Sequence, residues 1–105
     1  MSDDSVPEVT PHEAARRLRD GAALLDVRNR DEFDESRVPD SLLIPLGELK
    51  ERVSELPQDQ DLVVICRSGG RSGLAVDWLL SQGFVAVNLS GGILDWEEEG
   101  LPVER

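Results

Sequence analysis

Apolar positions along the chain fall into short runs separated by charged or glycine-rich links, and their spacing predicts alternating strands and helices. Thr10-Pro11-His12-Glu13 has the composition of a helix start. Thr10 serves as N-cap, Pro11 takes the first helical position where its missing N–H costs nothing, and Glu13 is placed to complete a capping box. Gly21 ends that helix. Ala22 to Val27 is a short apolar run, followed by a charged stretch through Arg37 and a second apolar run from Ser41 to Pro45. Leu46, Leu49, Val53 and Leu56 recur at helical spacing, predicting a helix over 46–56. Leu62-Val63-Val64-Ile65 is apolar without alternation, as suits a strand covered on both faces within a parallel sheet. Leu74-Ala75 and Trp78-Leu79 mark a further helix that stops at Gly83. Phe84 to Leu89 forms the last strand, and Gly91-Gly92 opens a final helix carrying Trp96. Both tryptophans are expected in the core. Strand and helix alternate with short links, so the class is α/β with a mostly parallel sheet and helices on both sides. Residues 1–7 are expected to be a disordered tail and 8–105 a single domain.

Composition narrows the function. With 105 residues the chain is one domain with a single core. The one cysteine allows no intrachain disulfide, and one cysteine with one histidine cannot build a tetrahedral nitrogen–sulfur zinc site. No metal and no cofactor are expected. The N-terminus lacks the basic and apolar regions of a signal peptide, and no apolar run is long enough to span a membrane. A cytoplasmic, reducing location is therefore expected, where a lone thiol persists. The net charge of −11 argues against nucleic acid as a partner, since phosphate binding needs basic surface. Glu97-Glu98-Glu99 is expected to be a solvated face.

The segment Cys66-Arg67-Ser68-Gly69-Gly70-Arg71-Ser72 sits between the buried strand and a helix, where α/β sheets bind ligands. Gly69 and Gly70 allow successive N–H groups to turn toward one centre. The following helix adds the positive end of its dipole, and Arg67 and Arg71 add two permanent cations. Each effect favours thiolate over thiol, so Cys66 should ionise below the free-thiol value of about 8.5. A lone strand cysteine is more often an apolar filler, but Arg-Ser-Gly-Gly-Arg-Ser does not belong in a core. No Gly-Lys-Ser/Thr follows the glycines, which excludes a P-loop. His12 is the only histidine available for a protease-like pair, and its polar surroundings fit a solvated surface residue.

The loop resembles the active-site loop of the rhodanese domain, and the similarity extends over residues 8 to 103. Leu24-Leu25-Asp26-Val27-Arg28 with Glu32-Phe33, Val38-Pro39-Asp40-Ser41 through Ile44-Pro45-Leu46, and Gly91-Gly92-Ile93-Leu94-Asp95-Trp96 resemble three further motifs of that family, in order. The resemblance implies a three-layer α/β/α fold with a central sheet of about five strands. It also implies a sulfurtransferase in which Cys66 takes sulfur from a donor such as thiosulfate as a persulfide. A thiophilic acceptor (cyanide in an assay, a thiol or protein in the cell) then removes that sulfur. Arg67, Ser68, Gly69, Gly70, Arg71 and Ser72 would bind substrate, with Arg67 or Arg71 holding the donor's anionic end. Asp26, Arg28 and Glu32 are expected to be structural, with an ion pair between Arg28 and Glu32.

Four residues separate Cys66 from Arg71, whereas phosphatases of similar fold have five. The shorter loop favours a single extra sulfur atom over a tetrahedral phosphate or arsenate. Ser36-Arg37 and Asp40-Ser41 stand where the family often has Gly-His and Gly-Ala, which bears on the shape of that connecting segment. The expected partners are a small anionic sulfur donor and a thiol or protein acceptor, with the chain a monomer or weak homodimer. The negative field repels small dianions at long range, which points to a neutral or basic protein or a thiol as the cellular partner. The alternative is a partner-dependent sulfur carrier or redox relay with little activity on free small molecules. A non-catalytic interaction domain is disfavoured by the intact Cys66.

Overall fold

The unbroken apolar run Leu62–Ile65 occupies the centre of the sheet, where both of its faces are covered. The structure, a computed structural model, describes residues 6–105. Strands β1 (Glu8–Val9), β2 (Ala23–Asp26), β3 (Leu42–Leu43), β4 (Leu62–Ile65) and β5 (Ala86–Leu89) form one sheet in the order β1-β5-β4-β2-β3. Every pairing is parallel, with Leu25 opposite Val64 and Val63 opposite Val87. The helices are α1 (Pro11–Arg19), α2 (Arg30–Glu35), α3 (Leu49–Arg52), α4 (Gly70–Ser81) and α5 (Gly92–Glu98). The five-stranded α/β/α architecture is the one expected.

Alternate residues of β4 feed two cores, one on each face of the sheet, where the chain length predicted a single one. Leu62, Val64 and Cys66 pack with Leu25, Leu49, Ala75 and Leu79 on the face covered by α3 and α4. Val63 and Ile65 pack with Ala14, Leu24, Ile93 and Trp96 on the face covered by α1 and α5. Side chains alternate across a strand, so a strand with two cores has no polar position to spare. Trp96 is buried as expected, whereas Trp78 only partly enters the first core. Burying an aromatic of this size contributes a few kcal/mol, enough to fix the final helix on the sheet.

Several local expectations change. The predicted tail falls partly outside the described residues (1–5). Val6 packs on the first core and the Pro7 carbonyl accepts a hydrogen bond from Asn88 N at 2.8 Å, so ordered chain precedes the expected boundary at residue 8. At α1 the Thr10 hydroxyl accepts from Glu13 N at 3.2 Å, the first half of the capping box. The second half is missing, because the Glu13 carboxylate pairs with Arg16 and Arg17 instead. The predicted helix over 46–56 is broken into 3-10 turns at Leu46–Glu48 and Val53–Glu55 around a single α turn at Leu49–Arg52. Arg52 is held by both Glu48 and Glu55, and Leu49 and Leu56 are the buried anchors. The charged stretch 28–37 contains α2, which has no buried residue to announce it. Its start is set by Asn29 N donating to the Glu32 carboxylate at 3.0 Å.

The segment that departs from the family pattern carries a backbone cost. Asp40 has φ of 65°, the only non-glycine residue at positive φ among those described. Pro39 and Asp40 take the two central positions of a turn closed by Ser41 N on the Val38 carbonyl at 3.3 Å. Proline followed by positive φ is the type II pattern, which favours glycine at the second position. Asp40→Gly is therefore expected to stabilise the fold by about 1 kcal/mol, the cost of left-handed backbone for an L-residue. Urea unfolding checks this: the midpoint should rise with an unchanged slope, and an unchanged or lower midpoint contradicts it.

Candidate active site

Cys66 follows β4 directly, and the chain turns there because the two helices beside it dictate it. The Cys66 carbonyl accepts from Ile93 N at 2.8 Å and the Arg67 carbonyl from Leu94 N at 3.2 Å. These donors are first-turn amides of α5, which have no partner within their own helix. With both carbonyls drawn toward α5, the following N–H groups face the sulfur. Gly92 makes the approach possible: a Cβ there would fall on the Arg67 carbonyl. Gly69, at φ 110°, then turns the chain into α4 and aims its own N–H at Cys66 Sγ, 3.0 Å away.

The sulfur thus lies inside a ring of donors. Cys66 is 1% exposed, although Arg67, Ser68 and Gly70 beside it are exposed. Ser72 Oγ is 3.2 Å from Sγ, one turn into α4. Burial pushes the Cys66 thiol up, since a desolvated anion is costly. The Ser72 hydroxyl, followed by the amides of Ser72, Gly69 and Ser68, outweighs that and holds the thiol below its ordinary value. The guanidinium groups expected to share this task do not contact the sulfur.

Each arginine has another position. Arg71 forms a two-pronged ion pair with Glu32, at 2.7 Å and 2.9 Å, joining α4 to α2. Glu32 is held down to about 2 by that contact first, against the effect of its burial, with help from Asn29 N and from the charges of Arg71 and Arg28. The expected Arg28–Glu32 ion pair is therefore not formed. Arg28 instead grips Asp26, with Nη2 2.8 Å from Oδ2 and Nε 3.0 Å from Oδ1. Its other N–H groups donate to the Ser36 carbonyl at 2.7 Å and the Glu32 carbonyl at 3.4 Å. Both Asp26 and Arg28 are buried at the end of β2, and breaking one partner of such a pair typically costs about 3–5 kcal/mol. The ion-pair partner of Arg28 is Asp26 rather than Glu32. Arg67 is exposed and makes no ion pair among the described residues. It lines an open groove of about 170 Å³ with Ser36 and Glu35 on one side and Leu94 and Glu97 on the other.

The predicted loop residues are thus partly gathered. Ser68, Gly69 and Ser72 surround the Cys66 sulfur, Gly70 begins α4, Arg71 is paired with Glu32, and Arg67 is exposed. His12 lies far from this chemistry, paired with Glu99 on the surface. Sequence reasoning missed Asn88, whose side chain bonds to Ser72 and to the Gly69 carbonyl. Its signal was a lone amide inside the buried strand Ala86–Leu89.

A parallel α/β domain with a cysteine held by amides after its central strand defines a class of cysteine-loop proteins. The rhodanese-like domain model matches residues 10–99. A sulfurtransferase of Allochromatium vinosum is 40% identical over 101 residues, covering 93% of this chain and 94% of that protein. The thiosulfate sulfurtransferase GlpE of Pseudomonas syringae is 36% identical, covering 82% of this chain and 83% of its own. The crystal structure of a rhodanese-related protein from Thermoplasma volcanium superposes with a TM-score of 0.89 at 34% identity, covering 93% of this chain and 97% of that one. The chain belongs to the rhodanese-like domain family, and sulfur transfer is the general activity that this membership and its relatives support.

The Glu32–Arg71 pair makes stability depend on acid in a defined direction. Glu32 has a lowered pKa in the fold, so its contribution is complete above its ordinary value of 4.5 and is lost as pH falls toward about 2. Glu32→Gln is expected to lower the melting temperature by roughly 4–8 °C at neutral pH, for about 1 kcal/mol in a domain of this size. The gap to the unaltered chain should close in acid; a gap that persists unchanged at low pH contradicts the assignment.

Proposed function

We propose that the chain is a sulfurtransferase that carries sulfane sulfur as a persulfide on Cys66. The observation that carries this reading is the convergence of the Ser68, Gly69 and Ser72 amides and the Ser72 hydroxyl on one sulfur atom. Such a ring of donors favours an anion of sulfur.

In the first step the Cys66 thiolate attacks the outer sulfur of thiosulfate. A sulfur–sulfur bond forms, the bond to the sulfite sulfur breaks, and sulfite leaves with its electron pair. The persulfide keeps one negative charge within the amide ring. In the second step a nucleophile, either cyanide or a thiolate, attacks the outer sulfur and leaves as thiocyanate or a new persulfide, and the Cys66 thiolate returns. Arg67 is the better candidate to meet the anionic end of the donor, because Arg71 is already neutralised by Glu32. No metal or cofactor enters either step, and the acceptor in the cell is a thiol or a protein cysteine.

A second reading, the partner-dependent carrier, is favoured by the covering of the sulfur. With Cys66 1% exposed, a donor reaches Sγ only after the loop shifts, and a bound protein could supply that opening. In this reading Cys66 still takes up sulfur, but turnover with free cyanide is slight.

Intact mass spectrometry after thiosulfate treatment tests the proposal. The chain should gain one sulfur, about 32 Da, lose it on adding a thiol, and show no gain as Cys66→Ser. No gain in the unaltered chain, or a gain that survives Cys66→Ser, removes the persulfide reading. In steady-state assays Arg67→Ala should raise KM for thiosulfate roughly tenfold, the worth of one hydrogen bond to a charged group. An Arg67→Ala KM equal to that of the unaltered chain contradicts the role given to Arg67.

A further inference from the structure

The buried polar cluster beneath the loop contains one hydroxyl with two claimants. Ser72 Oγ lies 2.5 Å from Asn88 Oδ1 and 3.2 Å from Cys66 Sγ. A serine hydroxyl has a single proton, so it cannot donate to both at once. The Asn88 amide cannot turn over to relieve the conflict. Its Nδ2 lies 3.1 Å from the Gly69 carbonyl and 3.2 Å from Glu8 Oε2, both acceptors, which fixes Oδ1 toward Ser72. Ser72 and Asn88 are fully buried, so water does not offer a substitute partner.

We propose that Asn88 is a positioning residue for the sulfur chemistry, its Oδ1 competing with Cys66 Sγ for the Ser72 proton while its Nδ2 holds the Gly69 carbonyl. When Cys66 is a thiol, its S–H points to Ser72 Oγ and the serine proton goes to Asn88. When the sulfur is anionic, the serine proton swings to it and Asn88 Oδ1 is left without its donor. Each ionisation of Cys66 thus moves one proton and orphans one buried acceptor, a costly exchange. Asn88 restrains how far the thiol is acidified, and β5 and β1 are thereby linked to the reactive sulfur.

Among the charged groups around this cluster, Arg71 acts on the sulfur only through its charge, and the others are engaged elsewhere. Arg71 is bound to Glu32 of α2, Arg28 to Asp26 at the end of β2, Glu8 of β1 accepts from Asn88 Nδ2, and Arg67 is exposed. None of them hydrogen-bonds Ser72 Oγ or Cys66 Sγ among the described residues. The Ser72 hydroxyl is also the leading influence lowering the Cys66 thiol against its burial, so the destination of that proton matters.

The role in catalysis rests on Cys66 being the reacting sulfur, but the shared proton is a property of the resting thiol and is tested without any sulfur donor. The chain has one cysteine, so ultraviolet thiolate absorbance followed against pH reports Cys66 alone. Asn88→Leu, of similar size, removes the competitor, while the Gly69 carbonyl keeps its bond from Gly73 N at 3.1 Å. The midpoint should fall by roughly one pH unit, the difference between a shared and an unshared hydrogen bond to the anion. Ser72→Ala should raise the midpoint, and adding Asn88→Leu to Ser72→Ala should change nothing further. An Asn88→Leu midpoint that stays or rises, or one that falls equally with Ser72→Ala present, overturns the proposal.

If Asn88→Leu fails to fold, the unaltered chain labelled in its two asparagines, Asn29 and Asn88, supplies the second measurement. The Asn88 side-chain amide resonance should follow the thiol titration while that of Asn29 does not, and the response should vanish in Ser72→Ala. A response that is absent, or that persists in Ser72→Ala, also overturns it. A chain that passes these tests yet forms no persulfide would retain the shared proton and lose only the sulfur-transfer reading.

Discussion

Two hydrogen bonds, from Ile93 N and Leu94 N to the carbonyls of Cys66 and Arg67, decide which way the loop after β4 faces. A backbone that gives its carbonyls to one neighbour must turn its amides to the other side. The sulfur of Cys66 occupies that other side. The contact requires Gly92 to sit against the loop backbone, so the last helix of the fold sets the polarity of a turn 25 residues earlier. The parallel sheet makes this geometry available by placing the ends of β4 and β5 side by side.

The positive charges of the loop serve a different purpose from the one their position suggests. Arg71 holds α2 against α4, and Arg28 locks the end of β2 to the segment after α2 through Asp26 and the Ser36 carbonyl. Both arginines brace the frame around the site. Neutral donors do the work at the sulfur itself, where fixed amides need no reorganisation and suffer little from salt. This arrangement also fits a strongly acidic chain, whose long-range field opposes anions in general while the local dipoles act over a few ångströms.

What the sequence disclosed follows from how each feature is encoded. The strand 62–65, the glycine-rich turn and the terminal helix with Trp96 are written in consecutive residues with strong patterns, so they are readable one segment at a time. Strand β1 is two residues long, and α2 exposes every turn, so neither has a hydrophobic period. The partner of Glu32 lies 39 residues away, and adjacency in sequence favoured Arg28 over Arg71. Asn88 shows a related limit: a lone amide in an apolar strand signals a buried hydrogen-bond network, but only the packing of β5 beside the loop tells which atoms it joins. The loop around Cys66 was legible because the cysteine, the glycines and the serine fall within seven residues.

The central claim is that a nearly covered cysteine is held below the ordinary thiol value because backbone and hydroxyl hydrogens surround it. The rate at which the unaltered chain reacts with iodoacetamide, followed across pH, measures this directly. A midpoint clearly below the free-thiol value of about 8.5 is the result predicted. Reaction that begins only above about pH 9 would mean that burial dominates, and the ring of donors would then have no chemical consequence.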